Sequence, residues 1–210
     1  MMRAVCPISE TARLLLTLVL LVILQLAGQG SAVSPPPGSV TIDSLTFGGS
    51  GCPYDGVDYV LSEDLKAMTM KFTKFIATTH KSAAHRTRRC QISVNLSYPE
   101  GFAVGLGSVT FSGYAKLDRG VSGSIKAFYY FSGQAGTARI TRKIQGPLDD
   151  NLEYRDGFGS ALYSTCGSNK QTLSVGLEVT VKPGKKPKGA GGIIRVEALL
   201  NAWDLVWEQC

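Results

Sequence analysis

The stretch Arg89–Gly101, RCQISVNLSYPEG, limits what this chain can fold into more than any other. Ile92, Val94, Leu96 and Tyr98 alternate with Gln91, Ser93, Asn95 and Ser97. A two-residue period of this kind gives an extended strand one apolar and one polar face. Cys90 shares the apolar parity, so its sulfur is expected to point inward, where a bridge anchors the strand. Asn95-Leu96-Ser97 is an N-glycosylation sequon whose Asn falls on the polar, outward parity. Pro99 and Gly101 then stop the strand. One segment therefore implies a strand class, an inner face and an oxidising, secretory compartment.

The first 32 residues read as an address. Arg3 and Arg13 form a basic start, Leu14 to Leu26 an apolar core, and Gly30-Ser31-Ala32 the small residues of a cleavage site. A retained membrane anchor is the rival reading, but as a helix this core covers only about 20 Å against roughly 30 Å of hydrocarbon. A signal peptide over 1–32 and no stable membrane span after cleavage are therefore expected. Cleavage removes Cys6 and leaves Cys52, Cys90, Cys166 and Cys210, an even set that reads as two disulfides. Of the three possible pairings, Cys52–Cys90 with Cys166–Cys210 is preferred, because near neighbours meet after the shortest loop closures. The formal net charge of +6 favours anionic partners by long-range attraction.

Residues 33–38 form a proline-rich leader, and 39–210 are expected to make a single domain. Val40 to Phe47 reads as a strand whose parity slips between Ile42 and Leu45, the mark of a bulge. Val57, Tyr59 and Leu61, then Met68, Met70 and Phe72, alternate as a hairpin. Residues 79–89 read as a basic loop holding His80 and His85. Glycine-punctuated strands follow between 102 and 117, then Ile125 to Phe131 and Ile140 to Ile144. Leu148 to Asp156 reads as an acidic turn, and 157–166 carries a short strand. Leu173 to Val181 gives the cleanest alternation, and Lys182 to Gly192 reads as a basic loop. The last segment ends as a strand at Trp207, with a helix start at Ala198 to Leu200 as an alternative. About ten strands with regular turns point to an all-β chain, an antiparallel β-sandwich or jelly-roll-like single domain.

The series GCP at 51–53, CQISVNLSYPEG at 90–101, GYAKLDRGV at 113–121, YYFSG at 129–133, GP at 146–147, CG at 166–167 and WEQC at 207–210 resembles the secreted domain-of-unknown-function family four-three-six-zero. The resemblance spans the mature chain and places all four cysteines; the insert at Lys182 to Lys188 departs from it. It implies secretion and a β-rich, disulfide-bonded domain, and it transfers no active site.

Candidate chemistry is sparse. His80 and His85 stand five apart among Lys81, Arg86, Arg88 and Arg89, cations that would oppose zinc, so two solvated histidines are the simpler account and neither metal nor cofactor is expected. A serine triad would need the same histidines, and no Gly-x-Ser-x-Gly turn is present. Asp149, Asp150, Glu153 and Asp156 are the dense carboxylates. A glycosidase pair among them needs two carboxyls across a cleft, and a calcium loop needs an Asp-x-Asp-x-Asp-Gly spacing that is absent. Phe128, Tyr130, Trp203 and Trp207 could form a stacking platform if exposed, although filling the core is the simpler reading.

The favoured reading is a secreted, non-enzymatic protein of the cell surface, wall or matrix that binds an anionic or glycan polymer. Its expected binding residues are Lys81, Arg86, Arg88, Arg89, Lys182, Lys185, Lys186 and Lys188. Nucleic acid is disfavoured by the compartment. A glycan-acting hydrolase using the 149–156 turn, and an effector or inhibitor that binds a foreign protein, are the alternatives.

Overall fold

The alternation around Ile92, Val94 and Leu96 folds as β5 (Thr87–Ser97) in a computed structural model that describes residues 34–61, 68–184, 189–200 and 204–210. The expected signal peptide, Lys185, Lys186, Lys188 and Trp203 lie outside the described residues. Before β5 come β1 (Thr41–Gly48), β2 (Val57–Leu61), β3 (Met68–Phe72) and β4 (Ile76–Thr78). After it come β6 (Phe102–Leu106), β7 (Ser108–Leu117), β8 (Ser122–Phe131) and β9 (Ala138–Gln145). The last four are β10 (Leu148–Gly157), β11 (Lys170–Lys182), β12 (Gly192–Leu200) and β13 (Leu205–Gln209).

Antiparallel ladders join the strands into a five-stranded sheet, β1-β5-β11-β8-β9, and a second sheet, β10-β7-β12-β3-β2, with β4 also on β12. β6 and β13 pair separately. Inward residues of the two sheets form one core. Val94, Leu177, Ile125 and Phe131 lie on one side, with Phe111, Leu117, Ile194 and Met70 on the other, each no more than 2% exposed. Burying one such side chain stabilises the fold by about 1.5–3 kcal/mol, which is why the apolar parity fixes the register. At Gly123 of β8 a Cβ would collide with Ile194 of the facing sheet, so glycine there lets the two layers close.

Both expected disulfides are present, Cys52–Cys90 with Cα atoms 5.3 Å apart and Cys166–Cys210 at 5.6 Å. The parity slip in the first strand is a register shift between Ile42 and Ser44.

Several local expectations need correction. Leu148 to Asp156 is no turn: it is strand β10, paired along its length with β7. Its charges lie at the open edge of the second sheet, where polar side chains stay hydrated. The basic loop ends earlier than read, because Thr87 to Arg89 already belong to β5 beside Thr180 to Glu178. Residues 158–166 form no strand. Isolated backbone bonds hold this segment, the Ser164 N–H donating to the Val104 carbonyl at 2.8 Å and the Leu162 N–H to the Tyr129 hydroxyl at 2.7 Å. Ala198 to Leu200 are strand, not helix.

Candidate functional site

The outward parity of the five-stranded sheet assembles a polar surface from four strands. Register puts Arg89, Glu178, Lys126 and Thr141 in one row across β5, β11, β8 and β9. The neighbouring row is Thr87, Thr180, Ser124 and Lys143, and Lys182, Ser122 and Gln145 follow. On the other side of the Arg89 row stand Gln91, Gly176, Phe128 and Arg139, then Ser93, Ser174 and Tyr130. A groove of about 420 Å³ runs over the charged end, lined by the hydroxyls of Thr87, Ser122, Ser124 and Thr180 and by Lys126, Lys143 and Lys182.

Glu178 is the carboxylate of this groove. It accepts from Lys126 Nζ and from Arg89 Nε, both at 2.8 Å. The Lys126 ammonium, and after it Arg89, hold the carboxyl below its ordinary range against the opposing effect of burial. Among the described residues no carboxylate pairs with Arg139, Lys143 or Lys182. The outer face of the second sheet differs. There Lys116 meets Asp149 at 2.8 Å, and Arg195 meets Glu197 and Arg155 meets Asp204 at 3.5 Å each. Three of its cations thus meet carboxylates, while the first face leaves a positive surplus in Arg139, Lys143 and Lys182.

The expected binding residues are thus split. Arg89 and Lys182 belong to the outer face. Arg88 has the opposite parity and points toward the second sheet, its Nε donating to the Ile76 carbonyl at 3.3 Å. With Lys81 it lines a separate cleft of about 530 Å³ at the rim, together with Lys74, His80 and His85 over Ile76 and Ile193. The disulfide at Cys90 and a bond from Gly51 N to the Arg89 carbonyl, 2.8 Å, fix the wall of this cleft beside Arg88. Lys74 is paired with Asp55, and His85 Nδ1 lies 2.9 Å from Ser82 Oγ. Arg86 lines neither cavity, and its Nε is buried without a hydrogen-bond partner among the described residues. The parity that turns Cys90 inward already separates Arg88 from Arg89. The sequence does not single out Lys126, a lone cation in an apolar run, or Lys143, which follows Arg142 in a short strand, because only the order β11-β8-β9 brings them together.

The carboxylates of β10 are distributed by the same alternation. Asp149 lies on the outer face, where the Lys116 ammonium and then the Tyr114 hydroxyl hold its carboxyl below the ordinary value. That shift is opposite to the one a general acid requires. Asp156 faces the first sheet and pairs with Arg142, whose guanidinium stacks 4.8 Å from the Tyr154 ring centre. Asn95 is exposed on the outer face; its Nδ2 donates to Ser44 Oγ at 2.7 Å and its Oδ1 accepts from Thr172 Oγ1 at 2.6 Å. Trp207 is structural, packed edge to face against Tyr98 at 5.3 Å.

Residues 38–210 match a family described as Domain of unknown function (DUF4360). An uncharacterized secreted protein of Arthroderma benhamiae is 33% identical over 189 residues, covering 86% of this chain and 76% of its own length. Among solved structures, TmCBM61 in complex with beta-1,4-galactotriose is similar at 13% identity with a TM-score of 0.29, over 80% of this chain and 90% of that one. The enzymatically active domain of tailspike protein 4 from bacteriophage CBA120 gives 12% and 0.24, over 85% of this chain and 21% of that one. TM-scores this low say nothing of ligand or activity. The family match and the secreted relative, each covering most of the chain, make this protein a secreted member of the family described as Domain of unknown function (DUF4360).

Proposed function

We propose that the protein is a non-enzymatic binding module of the cell surface, wall or matrix, and that it holds an anionic polysaccharide on the outer face of its five-stranded sheet. The observation that carries this reading is the composition of the groove: Lys126, Lys143 and Lys182 among hydroxyls, with Glu178 as the one lining carboxylate among the described residues. Cations attract the polymer's acidic groups, and hydroxyls exchange hydrogen bonds with its sugars without adding charge. Open grooves suit chains that pass through, since neither end of the ligand needs to be enclosed.

Retention on immobilised acidic polysaccharide tests this reading. The triple change Lys126→Gln, Lys143→Gln, Lys182→Gln is expected to lower the salt needed for elution by at least half. The melting temperature should stay within about 3 °C, because exposed lysines carry little of the core. Retention by the triple variant equal to that of the parent at low salt would overturn it.

The rim cleft gives a second reading, favoured by the convergence of Lys81, Arg88, His80 and His85 on one cavity. In that case Lys81→Gln with Arg88→Gln removes retention and the groove variant keeps it.

A further inference from the structure

We infer that the outer face reads the sugar ring as well as the charge, through a stacking platform made by laying Phe128 flat on Gly176. This rests on the anionic-polysaccharide reading above and adds the chemistry of the repeating unit. Phe128 and Gly176 are direct partners across β8 and β11, with Gln91 on the far side of the glycine and Arg139 on the far side of the phenylalanine. A Cβ built on Gly176 would have Cζ and both Cε atoms of Phe128 all within 2.6 Å. A ring standing on edge would bring its tip near that point and keep the flanking atoms further off. Three atoms this close together mean that the ring lies across the glycine.

Glycine inside a strand weakens it, through backbone entropy and the missing side chain. Gly176 nevertheless sits mid-strand between Val175 and Leu177, both buried. Its place is explained by the ring above it: any side chain there would lift Phe128 off the sheet. The inner ring face then rests on backbone, and the half-buried ring turns its other face outward. Tyr130 stands on the same face, about 7 Å further along the strand.

An aromatic face is the negative pole of the ring quadrupole. The C–H bonds on one side of a pyranose carry small positive charge and pack flat against such a face. Gln91, Arg139 and Ser93 surround the ring and are placed to meet the sugar's hydroxyls. An apolar protein partner fits this frame less well, because it would bury those polar groups without supplying hydrogen bonds. The adjoining lysine groove favours a sugar that bears acid groups, such as a uronic acid.

The test uses the mature protein, three acidic polysaccharides (polygalacturonate, alginate and heparin) and polyphosphate as a polyanion without sugar, all at one low salt concentration. Gly176→Ala keeps the aromatic ring but tips it; Phe128→Leu keeps an apolar side chain but removes the aromatic face. For at least one polysaccharide each variant should weaken binding about five- to tenfold, the order of one lost stacking contact. Polyphosphate binding should be unchanged in both variants, while the triple lysine variant loses affinity for both kinds of polymer. Thermal unfolding identifies any variant that fails to fold, and the other then carries the comparison. If both leave all three polysaccharides bound as by the parent while the lysine variant weakens them, the platform is overturned and the anionic-polymer reading stands. If the parent binds none of the four, both are overturned.

Discussion

Glu178 shows how single residues set the character of the outer face. It ties up Lys126 and Arg89 and is held below its ordinary carboxyl pKa of 4.5 by them. A carboxyl depressed on folding contributes stability that is fully present above its unfolded pKa and is lost as pH falls through the folded value. Once pH falls through that depressed value the carboxyl is protonated, the pair is released and the face becomes more positive. Glu178→Gln makes the same change at neutral pH. It is expected to cost about 1 kcal/mol, measured by urea unfolding, and to raise affinity for heparin about threefold, the effect of one unit charge some 7 Å away in water. Unchanged affinity would mean that the polymer does not pass over Lys126. Asn95 belongs to the same scale. We expect N-glycosylation there when the protein is secreted by a eukaryotic host, so Asn95→Gln should increase gel mobility; identical mobility would rule it out.

Among the strands, β13 is the element whose place depends most on a covalent tie. Among the described residues its ladder partner is β6 alone, and Cys210 follows its last residue, bridged to Cys166. Replacing both cysteines by serine is expected to cost about 2–4 kcal/mol. Amide exchange should accelerate in β13 and β6 and stay slow in β5 and β11; equal acceleration throughout would show that the bridge supports the whole sandwich. Elements also differed in how openly the sequence displayed them. β5 and β11 bury one face of a long strand, so their alternation was plain. Three residues, as in β4, are too few to show a period. β10 carries charge on both faces at a sheet edge, so it resembled a turn. The cation groove was hidden for another reason: Lys126 and Lys143 meet Lys182 only through the pairing β11-β8-β9, a long-range arrangement that no local pattern encodes. Arg89 and Lys182, which lie in basic runs, were legible as binding candidates, but their separation from Arg88 and Lys81 required the fold.

For the molecule as a whole, the two outer faces of the sandwich have different electrostatic roles. The second sheet pairs its cations with carboxylates along β7, β10 and β12. The first keeps Arg139, Lys143 and Lys182 without such partners among the described residues. Binding through that face must weaken with salt, since exposed charges are screened beyond about 8–10 Å at ordinary ionic strength. Backbone amide shifts, recorded while a short acidic oligosaccharide is titrated in, test the central claim most directly. Perturbations should cluster on β5, β11, β8 and β9, centred on Glu178, Lys126 and Phe128, and fade as salt is raised. Perturbations confined to β7, β10 and β12, or a response at the first face that ignores salt, would contradict it.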